Sequence, residues 1–275
     1  MITRFAAGLA FVLAVLPPPS SVLAGSSLRV GKDVDLQFTE GLAVGTAYPA
    51  GFAFTNSGSA GTEVTATAVY ANTGKFKAVA GRGTGNFAIA APAHITSATA
   101  TPKSAVIRIS NATATDLLDP GTAPFSFGAD FNLNTLSSTA DSKDNGDNLI
   151  QRGLANSATQ YKIQIDAGKP SCVLRQGTTT ITAKATQVIE RGTWYRVVCQ
   201  RTAAGGVTTV SLTVTRLSTG AAVPTTPGTG ALVDLSIATS VPMSVGGKLS
   251  DTGNVILSAT DQFNGRIDNA FLDLP

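Results

Sequence analysis

The chain has 275 residues and a formal net charge of +3, and hydrophobic residues make up 43% of it. That share excludes a disordered chain, while the 13% of charged residues is about half of the roughly 25% usual in soluble domains. The sequence has no run of Lys or Arg, which argues against nucleic acid as a partner, because binding to nucleic acid requires a basic patch.

Residues 1–24 have the features of a secretory signal peptide. A positively charged start precedes an apolar run at 5–16, and Val22 and Ala24 are the small residues expected before a cut ahead of Gly25. The run is too short to span a bilayer, which needs about 20 residues. We therefore expect a secreted, extracellular mature chain with no membrane span once the signal is removed.

Alternating apolar and polar residues predict β-strands along the rest of the chain. The pattern is clear in FSFGADFNL (125–133), YKIQID (161–166) and TTVSLTVTR (208–216), and it is typical of strands with one buried face. Further strands are predicted at 63–70, 76–80, 105–110, 181–189, 195–201, 231–237, 242–246 and 266–274. Turn-forming clusters separate the strands and no amphipathic helix is evident, so we predict an all-β fold in one domain, residues 25–275.

Cys172 and Cys199 are the two cysteines of the chain. In an exported protein such a pair predicts one disulfide. Closing a loop of about 28 residues would stabilise the fold by about 3.5 kcal/mol. The single histidine, His94, is distant in sequence, which argues against a thiol nucleophile or a metal pair.

Several short motifs follow one another in the second half of the chain. They are DNLIQRG (147–153), YKIQID (161–166), GTWYRVVCQR (192–201), VGGK (245–248) and FNGRIDNAFL (263–272). This order resembles the laminin G-like domains of secreted bacterial proteins, in the concanavalin A-like lectin/glucanase superfamily. The match covers 105–275 clearly and 28–104 loosely.

The resemblance implies a jelly-roll sandwich of two antiparallel sheets, with a disulfide that joins Cys172 to Cys199. It also implies that Trp194 occupies a buried core position rather than a surface for stacking sugars. It also implies roles for residues of the closing segment. Phe263 would lie at the sandwich edge, Gly265 in a tight turn, and Ile267 and Phe271 in the core. Asp268 would accept hydrogen bonds from neighbouring backbone amides.

Catalysis is not expected. Glycoside hydrolysis normally needs two carboxylates that face each other across the sugar, and hydrolases of the resembled fold carry them at alternate positions of one strand. The three glutamates, Glu40, Glu63 and Glu190, have no carboxylate two residues away. No GxSxG motif accompanies His94 either, so a serine hydrolase is not expected.

Polar side chains on or beside the predicted strands are the candidates for ligand contacts. Exposed polar rows on a sheet are where a sugar would form hydrogen bonds. We predict that the concave face of the sandwich presents Asp147, Gln151, Arg152, Lys162 and Gln164.

Calcium is a candidate cofactor, because the resembled domains often hold one ion at the rim. Calcium takes about six to eight oxygen ligands. Two polar loops could supply carboxylates, one with Asp141, Asp144 and Asp147 and the other with Asp251 and Asp261. A solvated polar turn is the alternative for both loops, and the sequence leaves the choice open.

Together these features predict a secreted, non-catalytic, lectin-like domain that binds a glycan or glycoconjugate. The alternative is a structural or adhesive module that contacts an extracellular protein and has no sugar site. No feature of the sequence separates the two.

Overall fold

A computed structural model of the protein describes residues 32–83, 85–95, 101–138, 146–257 and 261–275. The predicted signal peptide lies outside these residues. Within them the chain forms one 3-10 helix, Gly61–Glu63, and eighteen strands. The strands are β1 (Val34–Leu36), β2 (Ala53–Phe54), β3 (Val64–Ala71), β4 (Lys77–Ala80), β5 (Phe87–Ala90), β6 (Ser104–Asn111), β7 (Phe125–Leu133), β8 (Asp147–Arg152), β9 (Thr159–Asp166), β10 (Lys169–Gln176), β11 (Thr179–Ala185), β12 (Trp194–Ala204), β13 (Val207–Arg216), β14 (Ala222–Val223), β15 (Thr225–Thr226), β16 (Gly228–Gly230), β17 (Met243–Val245) and β18 (Gly265–Asp273). No helix in the described ranges is long and apolar enough to cross a membrane.

The strands pair into two antiparallel sheets, which we name after a central member of each. The β7 sheet has the order β14-β13-β12-β7-β18-β5-β4, with β1 also paired to β18 and β16 also paired to β13. The β8 sheet has the order β15-β11-β10-β9-β8-β17-β6-β3-β2. The predicted all-β sandwich of two antiparallel sheets is therefore confirmed, and strands from the first hundred residues contribute to both sheets.

The core lies between the inward faces of the two sheets. Alternation in β7 turns Phe125 and Phe127 inward, and alternation in β9 does the same for Tyr161. The rings of Phe127 and Tyr161 meet across the sandwich with their centroids 5.1 Å apart. The Tyr161 hydroxyl donates a hydrogen bond to the Leu118 carbonyl, so its buried polar end is satisfied.

The predicted disulfide is confirmed, and it joins the two sheets. Cys172 lies on β10 of the β8 sheet and Cys199 on β12 of the β7 sheet, and both are fully buried. Their Cα atoms are 5.8 Å apart, within the usual range of about 4.4–6.8 Å. The bond therefore fixes the two layers of the sandwich to each other through the core.

The prediction of a strand at 231–237 is wrong. The segment is extended, but its backbone groups bond to side chains and loops instead of a ladder. The Arg201 guanidinium donates to the carbonyls of Leu232 and Val233, and the amide of Val233 donates to the Gln176 side chain. The predicted strand at 181–189 is also shorter, since β11 ends at Ala185.

The closing strand β18 is confirmed, with one correction. Ile267 is buried in the core as predicted, but Phe271 lies on the outer face of the β7 sheet. A β-bulge between Asp268 and Phe271, with Asn269 at a φ of 49°, changes the alternation, so that Ala270 takes the inward position. Phe271 packs instead over β7 and under the Lys32 ammonium, which is 4.6 Å from the ring centroid.

The expectation for Asp268 holds, whereas that of a tight turn at Gly265 is wrong, because Gly265 is the first residue of β18. Phe263 is fully buried and contacts the ring of Phe131 in the core. Asp268 accepts a hydrogen bond of 2.8 Å from the Asn269 amide, as predicted. Gly265 has a φ of 141°, and a Cβ there would lie 2.1 Å from the Asn132 carbonyl. Close approach to β7 is therefore the reason for glycine at this position.

Candidate functional site

The outer face of the β8 sheet carries an ordered row of polar side chains. Because Tyr161, Ile163 and Ile165 point into the core, their neighbours Lys162 and Gln164 point outward. The strand register extends this row sideways, in the order Arg108 (β6), Ser244 (β17), Gln151 (β8) and Lys162 (β9). Three of the predicted ligand residues, Gln151, Lys162 and Gln164, therefore share one outer face.

A cleft of about 270 Å³ lies over this row. Its floor is formed by Gln151, Gln160 and Lys162 from the sheet, and its walls come from two loops. One loop is 154–156, between β8 and β9, and the other wall is formed by Lys248 and Ile256 in the segment after β17. Gln164 lies on the same face but does not line the cleft. We call this cavity the Lys162 cleft.

Hydrogen bonds hold the glutamine floor of the Lys162 cleft in place. The Asn148 side-chain amide donates to Gln151 Oε1 at 2.9 Å, and Gln151 Nε2 donates to the Gly153 carbonyl at 2.8 Å. Gln160 Nε2 donates to the same carbonyl at 3.2 Å. Gly153 has a φ of 73° and lies so close to Thr159 that a Cβ would collide with the backbone. The floor is therefore rigid before any ligand arrives, which lowers the entropic cost of binding.

The wall after β17 is a closed loop. The Ser250 amide donates to the Asn254 carbonyl at 2.8 Å, and the Ile256 amide donates to the Lys248 carbonyl at 3.2 Å. The Lys248 ammonium forms an ion pair of 2.6 Å with Asp261. These contacts place one cation and one apolar side chain on the same side of the cleft.

Lys162 is the titratable group on the floor of the cleft. Its ammonium has no ion pair or hydrogen bond with any described residue, and its side chain is half-buried. Burial lowers the pKa of Lys162, the neighbouring Lys248 lowers it further, and Asp261 and Asp166 act in the opposite direction. The protonated side chain is thus a cation that is partly removed from water and has no bonded counter-ion among the described residues.

Asp147 and Arg152 do not lie on the outer face, so their predicted exposure there is wrong. Both side chains are fully buried on the inward side of β8. Asp147 accepts a hydrogen bond of 2.6 Å from the Asn264 side chain. Arg152 forms an ion pair of 2.6 Å with Asp116 and donates to the Val241 carbonyl at 3.0 Å. Both residues have structural partners, which accounts for their burial.

Trp194 is not in the core, contrary to expectation. Its neighbour Tyr195 points inward and is buried, so alternation in β12 turns Trp194 to the outer face of the β7 sheet, where it is half-buried. The Tyr195 hydroxyl accepts a hydrogen bond from the Glu190 amide. Neither aromatic ring lines the Lys162 cleft.

The described carboxylates of the two predicted calcium loops have other partners. Asp261 is paired with Lys248, Asp251 accepts hydrogen bonds from the Ser157 hydroxyl, and Asp147 is bonded to an amide. Within the described residues there is no group of three or more acidic, His or Cys side chains able to hold a metal ion. Asp141 and Asp144 lie outside the described residues, so a calcium site in their loop stays a prediction.

A pair of carboxylates that the sequence did not indicate lies on the outer face of the β7 sheet. Asp130 on β7 is directly opposite Asp268 on β18, and both are almost fully buried. Asp130 is held by a two-pronged ion pair with Arg196, at 2.7 and 2.8 Å, and by the Asn269 side chain at 2.9 Å. Burial raises the pKa of Asp268 to about 6, and the charge of Asp130 adds to the shift.

This pair leads to a prediction about pH. Since the folded-state pKa of Asp268 is above its ordinary value of 3.8, its contribution to stability is fully present below about pH 4 and is lost as the pH rises through about 6. The wild type should therefore lose stability as the pH rises, whereas Asp268→Asn should not. Between pH 4.5 and pH 8, the free energy of unfolding of Asp268→Asn should increase by about 1–3 kcal/mol relative to that of the wild type.

Urea unfolding of the two proteins across this pH range measures the change. Glu63→Gln, which removes an exposed carboxylate on the 3-10 helix, is the matched control. A constant difference in stability between the wild type and Asp268→Asn at all pH values would contradict the prediction.

Comparisons with known proteins identify no family for the chain. No family model matches it, and no curated protein matches it. Three solved structures that match the chain have low sequence identity to it and TM-scores below 0.5. The LG1-3 region of the laminin alpha2 chain is 16% identical, with a TM-score of 0.41, over 55% of this chain and 28% of that one. The binding domain of botulinum neurotoxin serotype D/C is 11% identical, with a TM-score of 0.47, over 88% of this chain and 48% of that one.

A heptameric SAP-like pentraxin from Limulus polyphemus is 12% identical, with a TM-score of 0.37, over 56% of this chain and 65% of that one. The chain thus spans less than two thirds of the length of each of these three structures. The two-sheet antiparallel sandwich rests on the strand pairing of this chain itself.

Proposed function

We propose that the protein is a secreted, non-catalytic, lectin-like domain that binds a carbohydrate or glycoconjugate in the Lys162 cleft. The observation that carries the proposal is the cleft itself, a cavity of about 270 Å³ on the outer face of a sheet, with a fixed polar floor and walls from two loops. The Lys162 ammonium suits sugar hydroxyls, and Leu154 and Ile256 provide apolar surface for a ring face.

Other features support secretion and binding. The disulfide between Cys172 and Cys199 suits an oxidising compartment, in agreement with the predicted signal peptide. Asp130 and Asp268 form the cross-strand carboxylate pair, but the first is held by Arg196 and both are buried. That arrangement suits a structural role better than hydrolysis, which needs two carboxyl groups facing an open sugar site.

A steric variant tests the proposal. Ala155 is a small, exposed residue in the wall of the Lys162 cleft. Ala155→Trp should fill the cleft and weaken glycan binding at least about tenfold, or about 1.4 kcal/mol, with no change in thermal stability. Binding is measured on a glycan array and then by calorimetry, with the mature chain from Gly25, in calcium and again in chelator.

Ala112→Trp is the control, because Ala112 is exposed on a loop outside the cleft. Equal loss in both variants would place the glycan elsewhere. If the wild type retains no glycan in either condition but captures an extracellular protein, the adhesive alternative replaces this proposal. Binding lost only in chelator would support calcium in the loop that contains Asp141 and Asp144.

A further inference from the structure

Lys162 and the charges around it indicate the chemical class of the ligand. Two acidic side chains act on the Lys162 ammonium, Asp261 and Asp166. Each already has a lysine of its own: Asp261 pairs with Lys248 at 2.6 Å, and Asp166 approaches Lys184 at 3.9 Å. Of the lysines Lys162, Lys184 and Lys248, Lys162 is therefore the one whose ammonium has no bonded partner among the described residues.

Among the described residues, no carboxylate is bonded to the Lys162 ammonium. Two lysines line the cleft, and one aspartate, Asp261, is bonded to Lys248. Within the part of the chain that the structure describes, the Lys162 ammonium has no bonded counter-charge, and its side chain is half-buried and extends from strand β9. Burying a charge without a partner is costly, and a ligand that supplies an anion at this point recovers the cost.

The same polar row holds a second cation. Arg108 on β6 is three strands away from Lys162, which corresponds to about 14 Å at the usual spacing between strands. Arg108 has no ion pair or hydrogen bond from its side chain within the described residues, and its Cδ lies under the loop at Gly253. The row therefore carries two cationic side chains, Arg108 and Lys162, that have no bonded counter-charge among the described residues.

Resting on the proposed function, we infer that the ligand is an acidic saccharide whose carboxylate or sulfate group binds the Lys162 ammonium, while the sugar ring lies between the walls of the cleft. The shared requirement is one anionic group on a sugar. Calcium has no part in this contact, because the anion meets an ammonium group directly. Neutral saccharides should bind the same cleft more weakly, since they leave Lys162 without a partner.

The test uses a panel in which each uronic-acid oligosaccharide is matched by its methyl ester and each sulfated oligosaccharide by its desulfated form. The full mature chain should bind an acidic member at least tenfold more tightly than its neutral match, and the preference should shrink as NaCl rises from 50 to 300 mM. The anionic group is a carboxylate if the uronic-acid oligosaccharides show the preference, and a sulfate if the sulfated oligosaccharides show it.

Two charge-removing variants separate this contact from a general effect of charge. Lys162→Gln should abolish the preference, so that the acidic and neutral members of each pair bind with similar affinity. Lys184→Gln, which removes a lysine of the same sheet that already has Asp166 as its neighbour, should change neither. Circular dichroism spectra that match the wild type show that both variants are folded.

The outcomes are distinct. If the wild type binds acidic and neutral members equally, or if Lys162→Gln keeps the preference, the inference about acidic ligands is overturned while the proposed glycan site stands. If no member of the panel is retained, the proposed function fails together with the inference. A preference lost only in Lys162→Gln supports both.

Discussion

Replacing Asp116 by alanine is expected to lower the free energy of unfolding by about 3–5 kcal/mol, because it leaves a buried guanidinium without its counter-charge. Asp116 pairs with Arg152 at 2.6 Å, and the Arg152 side chain is completely buried. The remaining acceptors of Arg152 are the carbonyls of Val241 and Ala238, which carry no net charge. Urea unfolding measures the loss.

The double variant Asp116→Ala/Arg152→Met separates loss of the ion pair from loss of packing. Removing both charges should recover a large part of the stability, since a buried ion pair is often replaceable by apolar groups of similar volume. Asp166→Ala is the control, because it breaks the exposed contact with Lys184 at 3.9 Å and should cost less than about 1 kcal/mol. If Asp116→Ala also lowered the free energy of unfolding by less than about 1 kcal/mol, the carbonyl acceptors alone would be sufficient for the Arg152 guanidinium.

The second large effect is expected from the disulfide. Replacing Cys172 and Cys199 by alanine should destabilise the protein by about 3.5 kcal/mol through the greater entropy of the unfolded chain. The two residues are 27 positions apart and join the two sheets. The measurement compares the guanidinium unfolding midpoints of the oxidised wild type, the wild type in dithiothreitol, and the double variant.

Reduced wild type and double variant should unfold at similar midpoints, well below that of the oxidised protein. Reoxidation should restore the wild-type midpoint and leave the variant unchanged, which serves as the control for effects of the reductant. Equal midpoints for all three samples would mean that the bond adds nothing to stability and that the core alone fixes the two sheets.

The faces of β9 could be predicted from the sequence, whereas those of β8 could not. In β9 a regular alternation places Lys162 outward, and the structure agrees. In β8 the register shifts between Asn148 and Ile150. Such an extra residue reverses the alternation, so Asp147 turns inward while Gln151, four residues later, faces outward. DNLIQRG contains no local sign of this shift.

Strand β10 was missed for a different reason. It starts with Lys169 and Pro170, and proline usually argues against a strand. In the structure Pro170 lies ahead of Ser171, the first residue paired with β11, so its missing N–H costs no bond with that strand. The preceding turn uses Ala167 and Gly168, both with positive φ, and alanine is an uncommon residue for such a turn.

The candidate site depends on contacts that no local pattern encodes. Lys248 reaches the cleft from a segment almost ninety residues after Lys162, and its role depends on an ion pair with Asp261. The pairing of Asp130 with Asp268 likewise joins strands far apart in sequence. Alternation predicts which residues of a strand face outward, and the topology decides which outward residues meet.

The lengths of the outermost strands have a consequence for behaviour at high concentration. The β8 sheet ends in β2 and β15, of two residues each, and the β7 sheet ends in β14, of two residues, and β4, of four. An exposed strand edge can add a strand from another copy and so begin aggregation, and short edges offer few free backbone groups for this. We therefore expect the terminal strands themselves to contribute little to edge-to-edge association of the concentrated protein.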